Sequence, residues 1–263
     1  MHFLALIQIG IGVAVGFMIG LTGLGSGSML TPLLILFGGM APATAVGTSL
    51  IFSVATKSWG GWNFYRRGLV NMEIVRDLCL GGMPGTLVGA FIVRYLGVRR
   101  PDLMDAFLMR SIGLALMIVA AIMLLRLLPE KFRPRGVDRE FQLHPGLRRG
   151  LVVFSGFVVA ICVTVTSIGA GAALVPIMVL CYRLDSGTLV GSNVFTSGLL
   201  AFIAAIPHWG LGHVAWSAVG YLLIGSLPAL WCASQLHGRV PRHIPEGIIA
   251  AALMGMGLRI FVF

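Results

Sequence analysis

Long apolar runs of near-membrane length recur along this chain. They are Phe3–Thr22, Ala43–Thr56 extended past Lys57 to Trp62, Leu78–Val93, Leu103–Leu128, Leu151–Ile168, Gly187–Ile206, Val214–Leu236 and Gly247–Phe263. Leu103–Leu128 qualifies if Asp105 and Arg110 are tolerated near one end. A helix needs about 20 apolar residues to cross a bilayer. In hydrocarbon every backbone N–H and C=O must find its partner within the protein, which leaves only helices and closed barrels. The strand-like alternation of a membrane barrel is absent. The runs are continuous and rich in Leu, Ala, Gly and Met, so the expected fold is an all-α integral membrane protein.

Composition agrees. Hydrophobic residues make up 57% of the chain and charged residues 11%, against about 25% charged in soluble domains. Lipid has to replace water over much of such a surface. The net charge of +10 does not point to nucleic acid, because the basic residues gather between the apolar runs. They stand at Arg66–Arg67, at Arg94, Arg99 and Arg100, and from Arg126 to Arg149. Loops on the cytoplasmic side of a membrane carry charge in this way. The run from Phe3 to Leu21 lacks the basic flank of a secretory signal and reads as a retained helix. Cys79, Cys162, Cys181 and Cys232 all lie in apolar runs without a CxxC pair and read as buried small hydrophobes.

An internal duplication organises these runs. At a constant offset of 144 residues, TGLGSGSMLTP from Thr22 to Pro32 falls on TSIGAGAALVP from Thr166 to Pro176. In the same frame Thr44 falls on Thr188, Gly47 on Gly191, Ser53 on Ser197, Gly68 on Gly212, Gly81 on Gly225 and Pro84 on Pro228. Apolar composition matches Leu to Leu by chance, but it does not align Gly, Pro and Thr in one frame. The chain therefore divides into a first transmembrane repeat (1–128), a basic cytoplasmic linker (129–149) and a second repeat (150–263). Duplicated membrane halves are characteristic of secondary transporters, where repeats move about a central site. Arg66 and Arg67 precede Gly68, whereas Pro-His-Trp-Gly-Leu precedes Gly212 without Arg or Lys. Equivalent loops of opposite charge character indicate opposite sides of the membrane. The expectation is ten helical elements, five per half, in inverted repeats with both termini outside.

Two further runs, Ser28–Phe37 and Ala172–Tyr182, are too short to span. Each contains a proline, Pro32 or Pro176, and each follows a glycine-rich break. Gly23, Gly25 and Gly27 interrupt the first, with Ser26 or Ser28 placed to start the short helix; Gly169 and Gly171 interrupt the second. Glycine permits unusual backbone angles and close approach. The first N–H groups of a helix have no intrahelical partner and carry the positive end of its dipole. Two half-helix N-termini inside a membrane therefore suit an anion. Small-residue packing between helices gives the same pattern, and residues alone leave both readings open. Thr48-Ser49 and Ser192-Asn193, each directly after a shared glycine, could donate to anion oxygens or tie helices together.

Lys57 is a fixed charge inside an apolar run, equivalent to Ala201. It reads as a charge partner for an anion or as a lysine snorkelling toward the Asn63–Arg67 loop. His208 and His213 flank a short turn; they could carry protons, though exposed loop histidines usually have no special role. No nucleophile–base constellation or clustered carboxylate appears in the spans, so an enzyme is not expected.

These motifs resemble the sulfite exporter TauE/SafE family. The resemblance rests on GFMIGLTGLGSGSMLTPLL at residues 16–34, AVGTSL at 45–50, TSIGAGAALVPIM at 166–178 and VGSN at 190–193. The second copy departs from the family pattern, with Ser167-Ile-Gly-Ala-Gly in place of the usual glycine run and Gly191-Ser-Asn in place of GTS. The resemblance implies a multi-pass bacterial or archaeal inner-membrane carrier of small sulfur-containing anions, such as sulfite, thiosulfate or organosulfonates. The expected substrate shell is Gly23, Gly25, Ser26, Gly27, Ser28, Thr48, Ser49, Thr166, Ser167, Gly169, Gly171, Ser192 and Asn193, with Lys57 as charge partner. No cofactor or metal is expected; H+ or Na+ as coupling ion stays open, as does an oligomer. The expected partners are a small inorganic or organic anion and the lipid bilayer. A passive anion channel and a carrier of another small anion, such as a carboxylate, are the alternatives.

Overall fold

The computed structural model describes residues 2–22, 27–127, 144–182, 184–236 and 243–262. These form ten helices and no strand. The helices are α1 (His2–Thr22), α2 (Gly27–Leu36), α3 (Pro42–Arg66), α4 (Met72–Arg99), α5 (Pro101–Leu127), α6 (Pro145–Thr166), α7 (Ala170–Cys181), α8 (Ser186–Gly210), α9 (Trp216–Leu236) and α10 (His243–Val262). The all-helical expectation is borne out, including the short proline-containing helices. α2 has 10 residues and α7 has 12, roughly half of what a bilayer crossing needs. Six helices (α1, α4, α5, α6, α8 and α9) are long and apolar enough to cross a membrane. Leu87, Phe91, Phe154, Ile224 and Trp231 are among many large apolar side chains that lie exposed. A soluble monomer rarely shows so much apolar surface, whereas lipid covers it without cost.

The duplication is visible in the helix boundaries. Shifted by 144, α3 coincides with α8 end to end, and α4 begins where α9 begins. The turns after α3 and α8 are the same turn. Gly68 and Gly212 both take a left-handed backbone, with φ of 70° and 74°. Leu69 N–H donates to the Phe64 carbonyl at 3.0 Å, and His213 N–H to the His208 carbonyl at 2.9 Å. This is the glycine-closed helix end in which a residue beyond the glycine bonds back into the last turn.

The helices pair reciprocally across the repeats. α1 packs along α9, and their counterparts α6 and α4 pack along each other; α3 packs on α8 and α5 on α10. The α3–α8 contact runs antiparallel. Lys57 lies against Gly198, Val194 against Gly60, Phe195 against Gly61 and Phe64 against Gly191. Two hydrogen bonds repeat across this contact. Thr48 Oγ1 accepts from Ala215 N–H at 3.1 Å, and Ser192 Oγ accepts from Asn71 N–H at 2.9 Å.

α6 and α7 form a hairpin. The Arg148 guanidinium, in the first turns of α6, lies 4.6 Å from the Tyr182 ring centroid just past the end of α7. The chain thus enters and returns at the same end, and the bend between the two helices is buried. At the open end of the hairpin Asp77 of α4 is held between Arg76 at 3.2 Å and Arg149 at 3.3 Å, while Arg148 meets Glu73 at 3.4 Å. α6 begins at Pro145, inside the stretch expected as linker, so Arg148 and Arg149 are helical. The other linker residues, through Leu143, lie outside the described residues.

Candidate functional site

The bend between α6 and α7 is where backbone polarity is brought into the interior. Thr166 Oγ1 accepts from Ile168 N–H at 3.1 Å and donates to the Cys162 carbonyl at 2.7 Å. Its hydroxyl is therefore spent on holding the break. Ser167 takes a left-handed backbone with φ of 60°, and Gly169 follows with φ of 99°. A non-glycine residue in that region is uncommon and persists where its surroundings hold it. Thr166, Ser167 and Ile168 are all buried.

α7 then starts with no side-chain cap, because its N-cap is Gly169. Side-chain caps occur instead at the exposed starts of α4, where Asn71 accepts from Glu73 and Ile74 N–H, and of α8, where Asp185 accepts from Thr188 N–H; α3 and α6, like α7, begin without one. The first bond of α7 runs from Ala173 N–H to the Gly169 carbonyl, so the first amides of α7, at Ala170, Gly171 and Ala172, have no intrahelical acceptor. Ser167 Oγ is buried without a hydrogen-bond partner among the described residues. Among the described residues a Cβ on Gly169 would meet only Ala173 Cβ, at 3.9 Å. Uncapped amides and a bare buried hydroxyl beside a left-handed glycine are hydrogen-bond donors of the kind that helix N-termini offer to anions.

α7 packs against both α6 and α8. On α8, Asn193 Oδ1 and Thr196 Oγ1 are also buried and unpartnered among the described residues. They lie three residues apart and so share a helix face. Thr196 was absent from the sequence-derived shell; its only signal was its position one turn after Asn193. The counterpart of Asn193 is Ser49, which meets Thr31 of α2 at 2.7 Å and donates to the Val46 carbonyl. Thr31 was likewise unread, because its counterpart Val175 is apolar and masks the pairing.

Of the remaining expected site residues, Thr48 and Ser192 are engaged in the twin bonds between repeats described above. Gly27 begins α2 and Ser28 follows it, half-buried. Gly23, Gly25 and Ser26 lie outside the described residues. Gly171 is buried in the first turn of α7. Lys57 does not snorkel. It is 9% exposed, in the middle of α3 against Gly198, and no other lysine or arginine is buried among the described residues. It lines a cleft of about 230 Å³ with Ser58, Trp62, Phe195, Gly198 and Phe202.

The profile of the sulfite exporter TauE/SafE family matches residues 8–260. The chain belongs to that family. Within the TauE/SafE sequences, it is 30% identical over 251 residues to the probable membrane transporter protein YjnA of Bacillus subtilis strain 168, covering 95% of this chain and 96% of that one. It is 24% identical over 257 residues to YunE of the same organism, also described as a probable membrane transporter protein, covering 93% and 90%. A probable membrane transporter protein of Xylella fastidiosa strain Temecula1 is 24% identical over 235 residues, covering 84% and 80%. No solved structure matches the chain. Family membership over nearly the whole length and six spanning-length helices make this a multi-pass membrane protein of the TauE/SafE type.

Proposed function

We propose that the protein is a secondary transporter of small sulfur-containing anions, working by alternating access in a bacterial or archaeal plasma membrane. The observation that carries this reading is the buried, uncapped N-terminus of α7 beside Ser167 and Gly169. Such an end offers amide donors and the positive pole of a helix to an anion, without burying a full charge. The reciprocal helix pairing supplies the second requirement, two like halves that rock about a shared contact. The antiparallel crossing of the equivalent helices α3 and α8 supports an inverted arrangement, since a parallel duplication would make them run the same way. Arg66, Arg67, Arg76, Arg148 and Arg149 cluster at the end where the hairpin opens, which supports that end as the cytoplasmic one.

Sulfur chemistry comes from the family description alone. Uptake by purified protein in liposomes, with labelled sulfite, thiosulfate, an organosulfonate and a carboxylate, tests it. The reading expects saturable flux of at least one sulfur anion, exceeding that of the carboxylate. Equal flux of all four, or none of any, would refute it.

A further inference from the structure

The end of α8 holds two histidines that the anion site does not use. Both stand where the closed helix end described above normally places an apolar contact between the last turn and the residue beyond the glycine. In the first repeat those positions are Phe64 and Leu69; in the second they are His208 and His213. The surroundings are duplicated too. Gly191 packs on the Leu69 carbonyl and Phe64 Cβ, and Gly47 packs on the His213 carbonyl and His208 Cβ. Packing therefore asks for apolar side chains, and the second repeat supplies imidazoles instead.

His208 is fully buried, and its Nε2 lies 2.8 Å from the Thr164 carbonyl of α6. A carbonyl only accepts, so Nε2 carries the hydrogen and Nδ1 is a bare lone pair. That Nδ1 has no partner among the described residues, and neither does the buried Nδ1 of His213. The two ring centroids are 5.7 Å apart. Two adjacent orphaned ring nitrogens are costly as neutral groups. With the His213 hydrogen on Nε2, one added proton on either bare Nδ1 turns the pair into a donor and an acceptor.

Burial pushes His213 below the ordinary histidine value, and the Asp105 carboxylate of α5 acts the other way, favouring a proton on it. His213 is only half-buried in the turn before α9, which opens a route from solvent. The pair also sits at a junction of the repeats. Thr164 lies one turn before the break at Ser167, and two residues past His213 the Ala215 N–H bonds to Thr48 of α3.

We propose that His208 and His213 form a proton-binding site that couples anion movement to the proton gradient. This rests on the transport reading above and names its coupling ion. A proton taken up here changes the contact between α8, the α6 segment leading to the break, and α3 of the other repeat. A neutral pair restores the arrangement in the structure.

The test uses purified full-length protein in liposomes with the membrane potential clamped. Labelled thiosulfate serves as the probe, because it stays ionised across neutral pH. The variants are His208→Phe and His213→Leu, which copy the residues the first repeat tolerates at the same positions. Accumulation driven by an imposed pH gradient is expected to fall about tenfold or more in each, while thiosulfate exchange at equal pH stays within about twofold of wild type. Retained gradient-driven accumulation overturns the proposal. Loss of exchange together with accumulation assigns the pair a purely structural role and overturns it as well. A second measurement needs no variant: thiosulfate entry through the wild-type protein should move protons reported by a trapped pH dye. Thiosulfate flux without proton movement overturns the coupling but leaves the transport reading standing, whereas absence of any anion flux removes both.

Discussion

In the first repeat the Ser49 and Thr31 hydroxyls lie 2.7 Å apart, and Ser49 passes its hydrogen to the Val46 carbonyl. In the second repeat Asn193 and Val175 hold the equivalent positions, and Asn193 Oδ1 is buried without a partner. The helix frame is duplicated, yet at these positions the first repeat pairs its polar groups and the second leaves an oxygen bare among the described residues; elsewhere the first repeat has bare buried atoms of its own, Asp77 Oδ2 and Thr86 Oγ1. A buried polar atom without a partner costs about 1–3 kcal/mol. The second repeat carries several: Ser167 Oγ, Asn193 Oδ1, Thr196 Oγ1 and His208 Nδ1. Around α7 and α8 duplication thus kept the frame while local satisfaction of polar groups was given up, a pattern that accompanies functional sites in proteins generally.

The largest test of this asymmetry is Gly169→Val. The φ of 99° is a backbone in which a β-branched residue is strained by about 1–2 kcal/mol. Relief of that strain would turn the first amides of α7 away from the space beside them. Anion flux should fall about a hundredfold, while membrane insertion and gel-filtration behaviour stay as in wild type. Flux near wild type would mean that the uncapped helix end does not touch the anion.

Lys57 breaks the symmetry the other way, since its counterpart is Ala201. Lys57→Met should lower flux about tenfold by removing the buried positive charge that lines the cleft between α3 and α8. Unfolding temperature should hold or rise, because an apolar side chain replaces a largely buried amine. A fall in stability with unchanged flux would reassign Lys57 to structure.

A smaller effect is expected from remaking the second half-site in the image of the first. The double variant Val175→Thr and Asn193→Ser should recreate the hydroxyl pair and stabilise the protein by about 1 kcal/mol. It should also cut flux about fivefold by removing the Asn193 amide N–H group, the part of that side chain able to donate to an anion. Gain of stability without loss of flux would show that the Asn193 side chain serves no ligand.

The sequence displayed the frame clearly and the site only in part. Apolar run length, the shared Gly68 and Gly212, and the paired Pro32 and Pro176 are local signals, and each maps to a helix end or short helix in the structure. The destinations of polar side chains are not local. Whether Thr48 reaches an anion or Ala215 N–H depends on which turn the fold sets against it, 167 residues away. Lys57 is close enough in sequence to a helix end to snorkel, yet the crossing with Gly198 buries it. His208 and His213 flank a turn, which in a sequence suggests exposure. Burial of His208 comes from the approach of α6, a helix that single-chain patterning does not place.

The smallest effects belong to the twin bonds that hold the repeats together. Thr48 and Ser192 were both expected in the substrate shell, and each accepts a backbone N–H from the turn leading into α9 or α4. Thr48→Val and Ser192→Ala each leave that N–H without its acceptor inside the protein, at a cost of about 1 kcal/mol. Because the two bonds are symmetry equivalents with similar lengths, 3.1 and 2.9 Å, the two losses of stability should agree within about 0.5 kcal/mol, with flux within about twofold of wild type. Thermal unfolding and liposome uptake on the two variants give both quantities. A collapse of flux in Ser192→Ala alone, at matched stability, would return that hydroxyl to the anion's path and extend the open half-site from α7 to the N-terminal turns of α8.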